Sequence, residues 1–211
     1  VQRILEVAFE AGVPVVARGS GTGLSGGATP LGNGILLSMA KFNRILKIDA
    51  AARTAIVQPG VTNLRISEKA AQYGLYYAPD PSSQIACSIG GNVAENSGGV
   101  HCLKYGLTVH NIAAIRVVTM EGEVVEIGSG GLDSAGYDLL ALLTGSEGML
   151  GVITEVTVKL LPSPLLARVV MASFGDVEMA GDAVANVIGA GIVAAGLEMM
   201  DRLSIKAAED F

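Results

Sequence analysis

Tryptophan is absent from this chain of 211 residues, and aromatic residues make up only 4% of it. A core must therefore be built from aliphatic side chains, which are plentiful because 50% of the residues are hydrophobic. Runs of Lys or Arg are also lacking, and the net charge is −6, which argues against nucleic-acid binding through neutralised phosphates. A dianionic ligand would have to be held by backbone dipoles rather than by bulk positive charge.

Cysteine and long apolar runs are scarce as well. Cys87 and Cys102 have neither the spacing of metal ligands nor that of a redox pair, so we predict reduced thiols, a cytoplasmic location and no metal site. The most apolar window, residues 183–197, contains Asn186 and is too short to span a bilayer. Residues 2–11 have the spacing of a helix without an N-cap, and residues 204–211 that of a helix without a terminator. Both ends are therefore expected to lie inside a longer protein.

Hydrophobic periodicity predicts an α+β fold. Helices are predicted over residues 2–11, 62–73, 138–143, 177–188 and 204–211. Strands are predicted over residues 13–18, 35–39, 45–49, 54–58, 112–120, 124–127, 152–161, 168–173 and 194–199. Thr62 is the expected N-cap of its helix and Gly74 its terminator. We place one domain over residues 1–162, with its N-terminal part missing, and the beginning of a second domain over residues 165–211.

Glycine is the most over-represented residue type, with 28 copies that are clustered rather than scattered. Within the first cluster, residues 19–27, the segment 21–26 fits the pattern G-x-G-x-x-G and follows a predicted strand. A Rossmann fingerprint needs a helix directly after this pattern, but the glycines and proline of residues 27–34 exclude one. Asp49 lies where a ribose-binding acid would be sought, yet it belongs to a predicted hairpin. An NAD-dependent dehydrogenase is therefore disfavoured.

The glycine clusters still favour a phosphate ligand. Successive glycine N–H groups can turn inward as an anion-binding nest, and Thr22 and Ser25 can add hydroxyl donors. A second cluster, residues 88–99, offers Ser88 at the start of a short helix with free N–H groups. Taken alone, a single G-x-G-x-x-G is more typical of a surface loop, and the second cluster is more typical of a plain turn-helix-turn.

Four ordered stretches together resemble a known family. They are residues 16–27, 89–99, 103–106 and 145–154, and they resemble the FAD-binding domain of the vanillyl-alcohol oxidase or p-cresol methylhydroxylase type. The resemblance covers residues 1–162 and implies two α/β subdomains with mixed or antiparallel sheets and flanking helices, followed by the beginning of an α+β cap domain. Residues 79–83 and 100–106 are similar to those of flavin subunits of bacterial glycolate oxidase. D-lactate and D-2-hydroxyglutarate dehydrogenases remain alternatives.

The resemblance also implies three groups of residues that contact FAD. The group that would wrap the diphosphate is Gly19, Ser20, Gly21, Thr22, Gly23, Ser25, Gly26 and Gly27. The group at the ribityl and flavin end is Pro79, Asp80, Ser88, Gly90, Gly91 and Asn92, with Ser97, Gly98 and Gly99 packed nearby. The group at the adenosine end is Glu147, Gly151, Val152 and Ile153.

The same resemblance implies that FAD is bound non-covalently. Covalent relatives attach the flavin to a His near the first loop, a place that Thr22 occupies here. The Cys of doubly linked relatives corresponds to Gln84. Cys87 lies close enough in sequence to leave a covalent link as the alternative.

The implied activity is FAD-dependent oxidation of a small 2-hydroxy acid of the glycolate or D-lactate type. The base that removes the hydroxyl proton is expected in the cap domain beyond this chain, so the fragment alone is expected to be inactive. His101 and His110, the only histidines, lack ligand spacing. Companion flavin and iron–sulfur subunits are implied partners, the latter because this chain has no Cys cluster, and any membrane association would be made through them. A non-catalytic nucleotide-binding module is the alternative from another class.

Overall fold

The computed structural model describes residues 1–129 and 136–211. Its helices are α1 (Gln2–Glu10), α2 (Asn63–Ala70), α3 (Ile89–Glu95), α4 (Cys102–Tyr105), α5 (Leu139–Leu143), α6 (Val177–Gly189) and α7 (Arg202–Asp210). Its strands are β1 (Val15–Arg18), β2 (Ile35–Ser38), β3 (Ile45–Asp49), β4 (Thr54–Val57), β5 (Leu75–Tyr76), β6 (Ile112–Val118), β7 (Val124–Gly128), β8 (Val152–Lys159) and β9 (Leu161–Pro162). The mixture of helices and largely antiparallel strands confirms the predicted α+β class.

A five-stranded sheet in the order β3-β4-β8-β6-β7 forms the centre of the molecule. All of its neighbouring strands are antiparallel. Both predicted hairpins are present, since Asp49 pairs with Thr54 and Val118 pairs with Val124. In β8 the buried and partly exposed positions alternate towards the carboxyl end, as expected for a strand with one covered face.

The main core lies between this sheet and the helices α2 and α3. Ile66 of α2 and Ile89 of α3 are fully buried in the same cluster as Val156 and Val158 of β8. These aliphatic side chains take the place that aromatic residues would fill in other domains, which confirms the expectation from composition. The 3-10 turn Ala71–Tyr73 extends α2 to the predicted end, where Gly74 adopts a left-handed conformation with φ of 66°.

The parallel pair β1 and β2 forms a separate small sheet. It packs with α1 through a second cluster in which Leu5, Met39, Val118 and Val152 are buried. The chain between the two strands contains turns and bends but no helix, so the crossover that a Rossmann unit needs is absent from this described segment. The glycine-rich loop, residues 19–27, therefore leaves the carboxyl end of β1 and lies near the first residues of β8.

The segment after Pro162 differs from prediction. The predicted helices form as α6 and α7, and Asp176 and Asp201 cap them by accepting hydrogen bonds from Met179 N–H and Ser204 N–H. The strands predicted over residues 168–173 and 194–199 are wrong, because both stretches lack regular secondary structure. A strand needs a neighbour to take its backbone hydrogen bonds, and alternation of apolar residues does not supply one.

No helix within residues 1–129 and 136–211 is long and apolar enough to cross a membrane.

Candidate functional site

A cavity of about 370 Å³ opens between the glycine-rich loop and α3. This volume is within the range of about 300–1,000 Å³ that is usual for small-molecule sites. Its wall combines three stretches that are distant in sequence, residues 17–28, 83–97 and 147–153, with two single residues. The wall residues are Ala17, Arg18, Gly19, Ser20, Gly21, Thr22, Gly23, Leu24, Gly27, Ala28, Met39, Pro59, Ser83, Cys87, Ser88, Gly90, Gly91, Asn92, Ala94, Glu95, Ser97, Glu147, Gly148, Gly151, Val152 and Ile153.

The glycine-rich loop comes close to α3 at a point where no side chain would fit. A Cβ added at Gly19 would collide with Ser88 Oγ, and one added at Gly23 would lie 2.9 Å from Glu95 Oε1. Gly21, with φ of 73°, also has a conformation that favours glycine. The loop backbone therefore forms one side of the cavity directly, as the glycine pattern predicted.

Two buried polar atoms face this cavity without a partner. Ser88 Oγ and Asn92 Nδ2 make no hydrogen bond within the described chain, although the two residues are only 3% and 2% exposed. Burying a polar group unpaired costs about 1–3 kcal/mol, so such groups normally have a partner. Their position in the cavity wall indicates that a polar ligand supplies it.

The first backbone N–H groups of the helices around the cavity have other hydrogen-bond acceptors than the sequence predicted. Thr62 occupies the N-cap position of α2 but makes no side-chain capping bond. Instead, Asn63 N–H donates to the Cys87 carbonyl and Leu64 N–H to the Gln84 carbonyl. A capping side chain is unnecessary because the neighbouring segment already supplies backbone acceptors.

At the start of α3, backbone carbonyls likewise take the place of a capping side chain. Ile89 N–H donates to the Val61 carbonyl and Gly90 N–H to the Pro59 carbonyl, both at 2.8 Å. Two of the N–H groups that were expected to face a ligand are therefore occupied. Ser88 sits at the N-cap without making the capping bond, and its buried hydroxyl has no other partner among the described residues.

The structure brings most of the predicted FAD contacts into one wall. Those present are Gly19, Ser20, Gly21, Thr22, Gly23, Gly27, Ser88, Gly90, Gly91, Asn92, Ser97, Glu147, Gly151, Val152 and Ile153. Those outside it are Ser25, Gly26, Pro79, Asp80, Gly98 and Gly99. Within the second set, Ser25 donates to Glu95 of the wall and Gly99 packs against Asp80. The contact of both sets with FAD stays a prediction.

Several wall residues were not predicted from the sequence. Arg18 precedes the glycine-rich loop, and its charge next to a phosphate-type loop was a usable signal. Glu95 lies inside the second glycine cluster, but nothing in sequence relates it to Ser25, which is 70 residues away and donates to Glu95 Oε2 at 3.2 Å. Met39 enters the wall through tertiary packing alone.

A group of titratable side chains lies beside the wall. Asp80 Oδ2 and His101 Nδ1 are 2.5 Å apart, and the His101 ring tilts towards Tyr105. Tyr105 meets Tyr76 edge to face, with ring centroids 6.3 Å apart. Burial, followed by a hydrogen bond with Tyr105, raises the pKa of Tyr76 above the ordinary value of a tyrosine. This cluster joins the segments that carry Asp80 and Gly99 behind the cavity.

The residues of the cavity fit FAD, the cofactor that the sequence resemblance implies. Ser88 and Asn92 provide unpaired polar atoms, and the loop at Gly19 and Gly23 leaves space that a side chain would otherwise take. Over the described ranges no group of His, Cys, Asp or Glu side chains is arranged to hold a metal ion.

Curated relatives are similar over the whole chain. The chain is 67% identical over 211 residues to glycolate oxidase subunit GlcD of Escherichia coli K12, covering 100% of this chain and 42% of that protein. It is 42% identical to glycolate oxidase subunit GlcD of Bacillus subtilis, covering 100% and 45%. It is 38% identical to a D-lactate dehydrogenase of Archaeoglobus fulgidus, covering 99% and 47%. The chain thus spans less than half the length of these relatives.

A solved structure and two family models agree on the fold. The structure of an alkyldihydroxyacetonephosphate synthase superposes with a TM-score of 0.80 at 24% identity, covering 93% of this chain and 36% of that one. Residues 164–211 match the model of the C-terminal domain of FAD linked oxidases. Residues 1–128 match the FAD binding domain model. The chain therefore belongs to the FAD-binding domain family of FAD-linked oxidases.

Proposed function

We propose that the cavity between the glycine-rich loop and α3 holds FAD non-covalently, with the diphosphate against residues 19–27. The observation that carries this proposal is the pair of buried, unpaired polar atoms in the wall, Ser88 Oγ and Asn92 Nδ2. A bound cofactor would give both atoms a partner and so remove the cost of burying them unpaired. The glycine-rich loop, which approaches without side chains, supports a close contact between backbone N–H groups and phosphate oxygens.

Different wall residues contact different parts of the cofactor in this proposal. Ser88, Asn92 and Ser97 orient the flavin end through a hydroxyl or amide group, while Gly151 and Val152 present backbone at the adenosine end. When bound, FAD supplies the group that accepts a hydride from the substrate. The chain's own contribution is to position that group, to exclude water from it and to tune its electronics.

Non-covalent binding is supported by the residues at the positions that carry the flavin link in covalent relatives. Neither Thr22 nor Gln84 is a nucleophile of the kind that bonds flavin, and Cys87 is a buried free thiol in the wall. Acid precipitation of the intact protein is expected to leave a yellow supernatant and a colourless pellet. A yellow pellet that turns colourless in Cys87→Ser would show a link to that thiol and contradict non-covalent binding.

The longer protein that contains this chain is proposed to oxidise a small 2-hydroxy acid. Support comes from relatives named glycolate oxidase subunit at 67% and 42% identity and from others named D-lactate dehydrogenase at lower identity. The cap domain is proposed to begin after the boundary at residues 162–165 and to supply the base. Companion flavin and iron–sulfur subunits, a cytoplasmic location and membrane association through those subunits belong to the same proposal.

A spectrum of the intact protein tests cofactor and substrate separately. We expect the absorbance bands of oxidised flavin, which glycolate, D-lactate or D-2-hydroxyglutarate should bleach to different extents under anaerobic conditions. The acid that bleaches the bands fastest identifies the substrate class. A protein that remains colourless after incubation with FAD contradicts the cofactor proposal. Bound flavin that none of the three acids bleaches contradicts only the activity and favours a non-catalytic nucleotide-binding module.

A further inference from the structure

The charges in the cavity wall change sign along the glycine-rich loop. The charged residues of the described wall are Arg18, Glu95 and Glu147. A Cβ placed at Gly21 would lie 2.7 Å from Nη2 of Arg18, whereas one at Gly23 would lie 2.9 Å from Oε1 of Glu95. A Cβ placed at Gly27 would likewise lie 3.3 Å from Oε2 of Glu147. A cation therefore lies at one end of the loop and two carboxylates at the other.

The Arg18 backbone is fixed, while its guanidinium has no counter-ion among the residues that the structure describes. Its carbonyl accepts a hydrogen bond of 2.8 Å from Met39 N–H, and the residue pairs with Ser38 in the small parallel sheet. Over residues 1–129 and 136–211, the Arg18 side chain makes no hydrogen bond or ion pair. By contrast, Arg116 is held by Glu126 and Glu155. A partly buried guanidinium that lines a cavity without a partner is suited to binding an anionic ligand there.

Glu95 is held in place at the other end of the loop. Ser25 donates to its Oε2, and its other oxygen lies against Gly23. A fixed carboxylate repels a second anion at short range, and the repulsion is stronger next to a partly dehydrated wall. The part of the loop near Gly23 and Gly27 is therefore unfavourable for a diphosphate, although its backbone alone would be suitable.

We infer that Arg18 binds the FAD diphosphate and that Glu95 restricts the diphosphate to the Arg18 end of the glycine-rich loop. The inference rests on the proposed FAD site and narrows the diphosphate contact from residues 19–27 to the part of the loop next to Arg18. It also adds a side-chain cation, where the glycine pattern alone assigned the diphosphate to backbone groups. The guanidinium supplies charge-assisted hydrogen bonds to phosphate oxygens, and the carboxylate sets the register of the cofactor along the loop.

The test measures FAD dissociation constants on the intact protein after removal of its flavin, by the change in flavin fluorescence. We expect Arg18→Gln to weaken FAD binding by about 10- to 100-fold, as for the loss of a charged hydrogen bond, and Arg18→Lys to weaken it less. Raising the salt concentration should weaken binding to wild type more than to Arg18→Gln, because only wild type retains the charge pair. Arg53→Gln, the same change at an exposed position outside the wall, should leave both quantities unchanged.

Glu95→Gln provides the opposite charge change within the same wall. It keeps an oxygen that Ser25 can donate to, so FAD should bind as tightly as in wild type or more tightly. An Arg18→Gln protein with wild-type affinity and salt dependence would overturn the inference. So would an Arg18→Gln protein whose affinity is lower than that of wild type by the same factor at every salt concentration, since that would indicate a structural role for Arg18. A tenfold weaker Glu95→Gln would overturn the role of Glu95. If wild type itself fails to bind FAD, the proposed function fails instead.

Discussion

Individual residues around the cavity are constrained mainly by close approach of backbones. Gly99 illustrates this constraint, because a Cβ at that position would collide with the Asp80 carbonyl and lie 2.6 Å from Asp80 Oδ1. The sequence placed Gly98 and Gly99 in the second glycine cluster, but the close neighbour that requires glycine at position 99, Asp80, is visible only in the tertiary structure. The paired side chains Asp80 and His101 hold the same two segments together from the other side.

Gly99→Ala is expected to destabilise the protein by about 1–3 kcal/mol, because a backbone segment must move to admit the methyl group. The matched control is Gly181→Ala in α6, where nothing lies within 4 Å of the added Cβ. That substitution should stabilise the helix by about 0.5–1 kcal/mol. Thermal unfolding of the intact protein measures both effects. Equal melting temperatures for Gly99→Ala and wild type would refute the close contact.

Tyr77 makes a second residue-level prediction, on the dependence of stability on pH. Its hydroxyl is buried and makes no hydrogen bond of normal length with the described residues, and burial raises its pKa against an opposing effect of the nearby Thr108 hydroxyl. In the unfolded chain the hydroxyl ionises near its usual pKa of about 10, whereas in the folded protein it stays protonated. The unfolded state therefore releases a proton that the folded state keeps, and stability falls as the pH rises above about 10.

Tyr77→Phe should remove the contribution of this hydroxyl to the dependence of stability on pH. Near neutral pH the variant should be as stable as wild type or more stable, because no hydrogen bond is lost. Above pH 10 its stability should fall less steeply, by up to about 1.4 kcal/mol per pH unit. Urea unfolding at pH 7, 10 and 11 makes the comparison, and Tyr73→Phe, at an exposed tyrosine, is the control. A marked loss of stability at pH 7 would mean that the hydroxyl has a partner after all.

At the scale of elements, the short helix α3 and the strand β5 depend on their neighbours. α3 contains Gly90 and Gly91, which are poor helix formers, but a Cβ at Gly90 would lie 2.5 Å from Cβ of Pro59. Close packing thus requires the residue that local propensity disfavours. β5 pairs with β9 over only two residues and is anchored to α2 by a side chain. The Ser67 hydroxyl accepts from Tyr77 N–H at 3.0 Å and donates to the Tyr77 carbonyl.

Ser67→Ala should therefore destabilise the protein by about 1–3 kcal/mol, since the N–H group of the buried Tyr77 loses its acceptor. Ser67→Thr retains the hydroxyl and should cost less. Glu68→Ala, at the next and exposed position of α2, should change stability by less than about 0.5 kcal/mol. Chemical denaturation compares the three variants. A Ser67→Ala protein that matches Glu68→Ala would show that this side chain does not hold β5.

The whole molecule is organised so that one cavity receives contributions from β1, the glycine-rich loop, α3 and the start of β8. Because the cavity belongs to the folded state only, FAD binding and folding must be linked. We expect free FAD at 100 times its dissociation constant to raise the unfolding free energy by about 2.7 kcal/mol. The melting temperature of the flavin-free intact protein should rise accordingly, and Arg18→Gln should show a smaller rise at the same FAD concentration. A wild-type melting temperature that is independent of FAD would contradict the link.

The elements that depend on local patterns could be predicted from the order of the amino acids. Both hairpins, the helices that Asp176 and Asp201 cap, and the glycine-rich loop without a following helix were all predicted, because alternation, capping residues and glycine act over a few neighbouring positions. The family resemblance likewise lay in the linear order of motifs.

Contacts between side chains that are distant in sequence follow from the folded structure. It left residues 168–173 and 194–199 without strand structure, because hydrogen-bonded strands need a partner that alternation cannot supply. It also placed Glu95 beside Ser25 across 70 residues and left the Arg18 guanidinium unpaired in the wall of the described cavity. Such charge positions follow from distances in three dimensions, because electrostatic interactions depend on separation and burial and not on spacing along the chain.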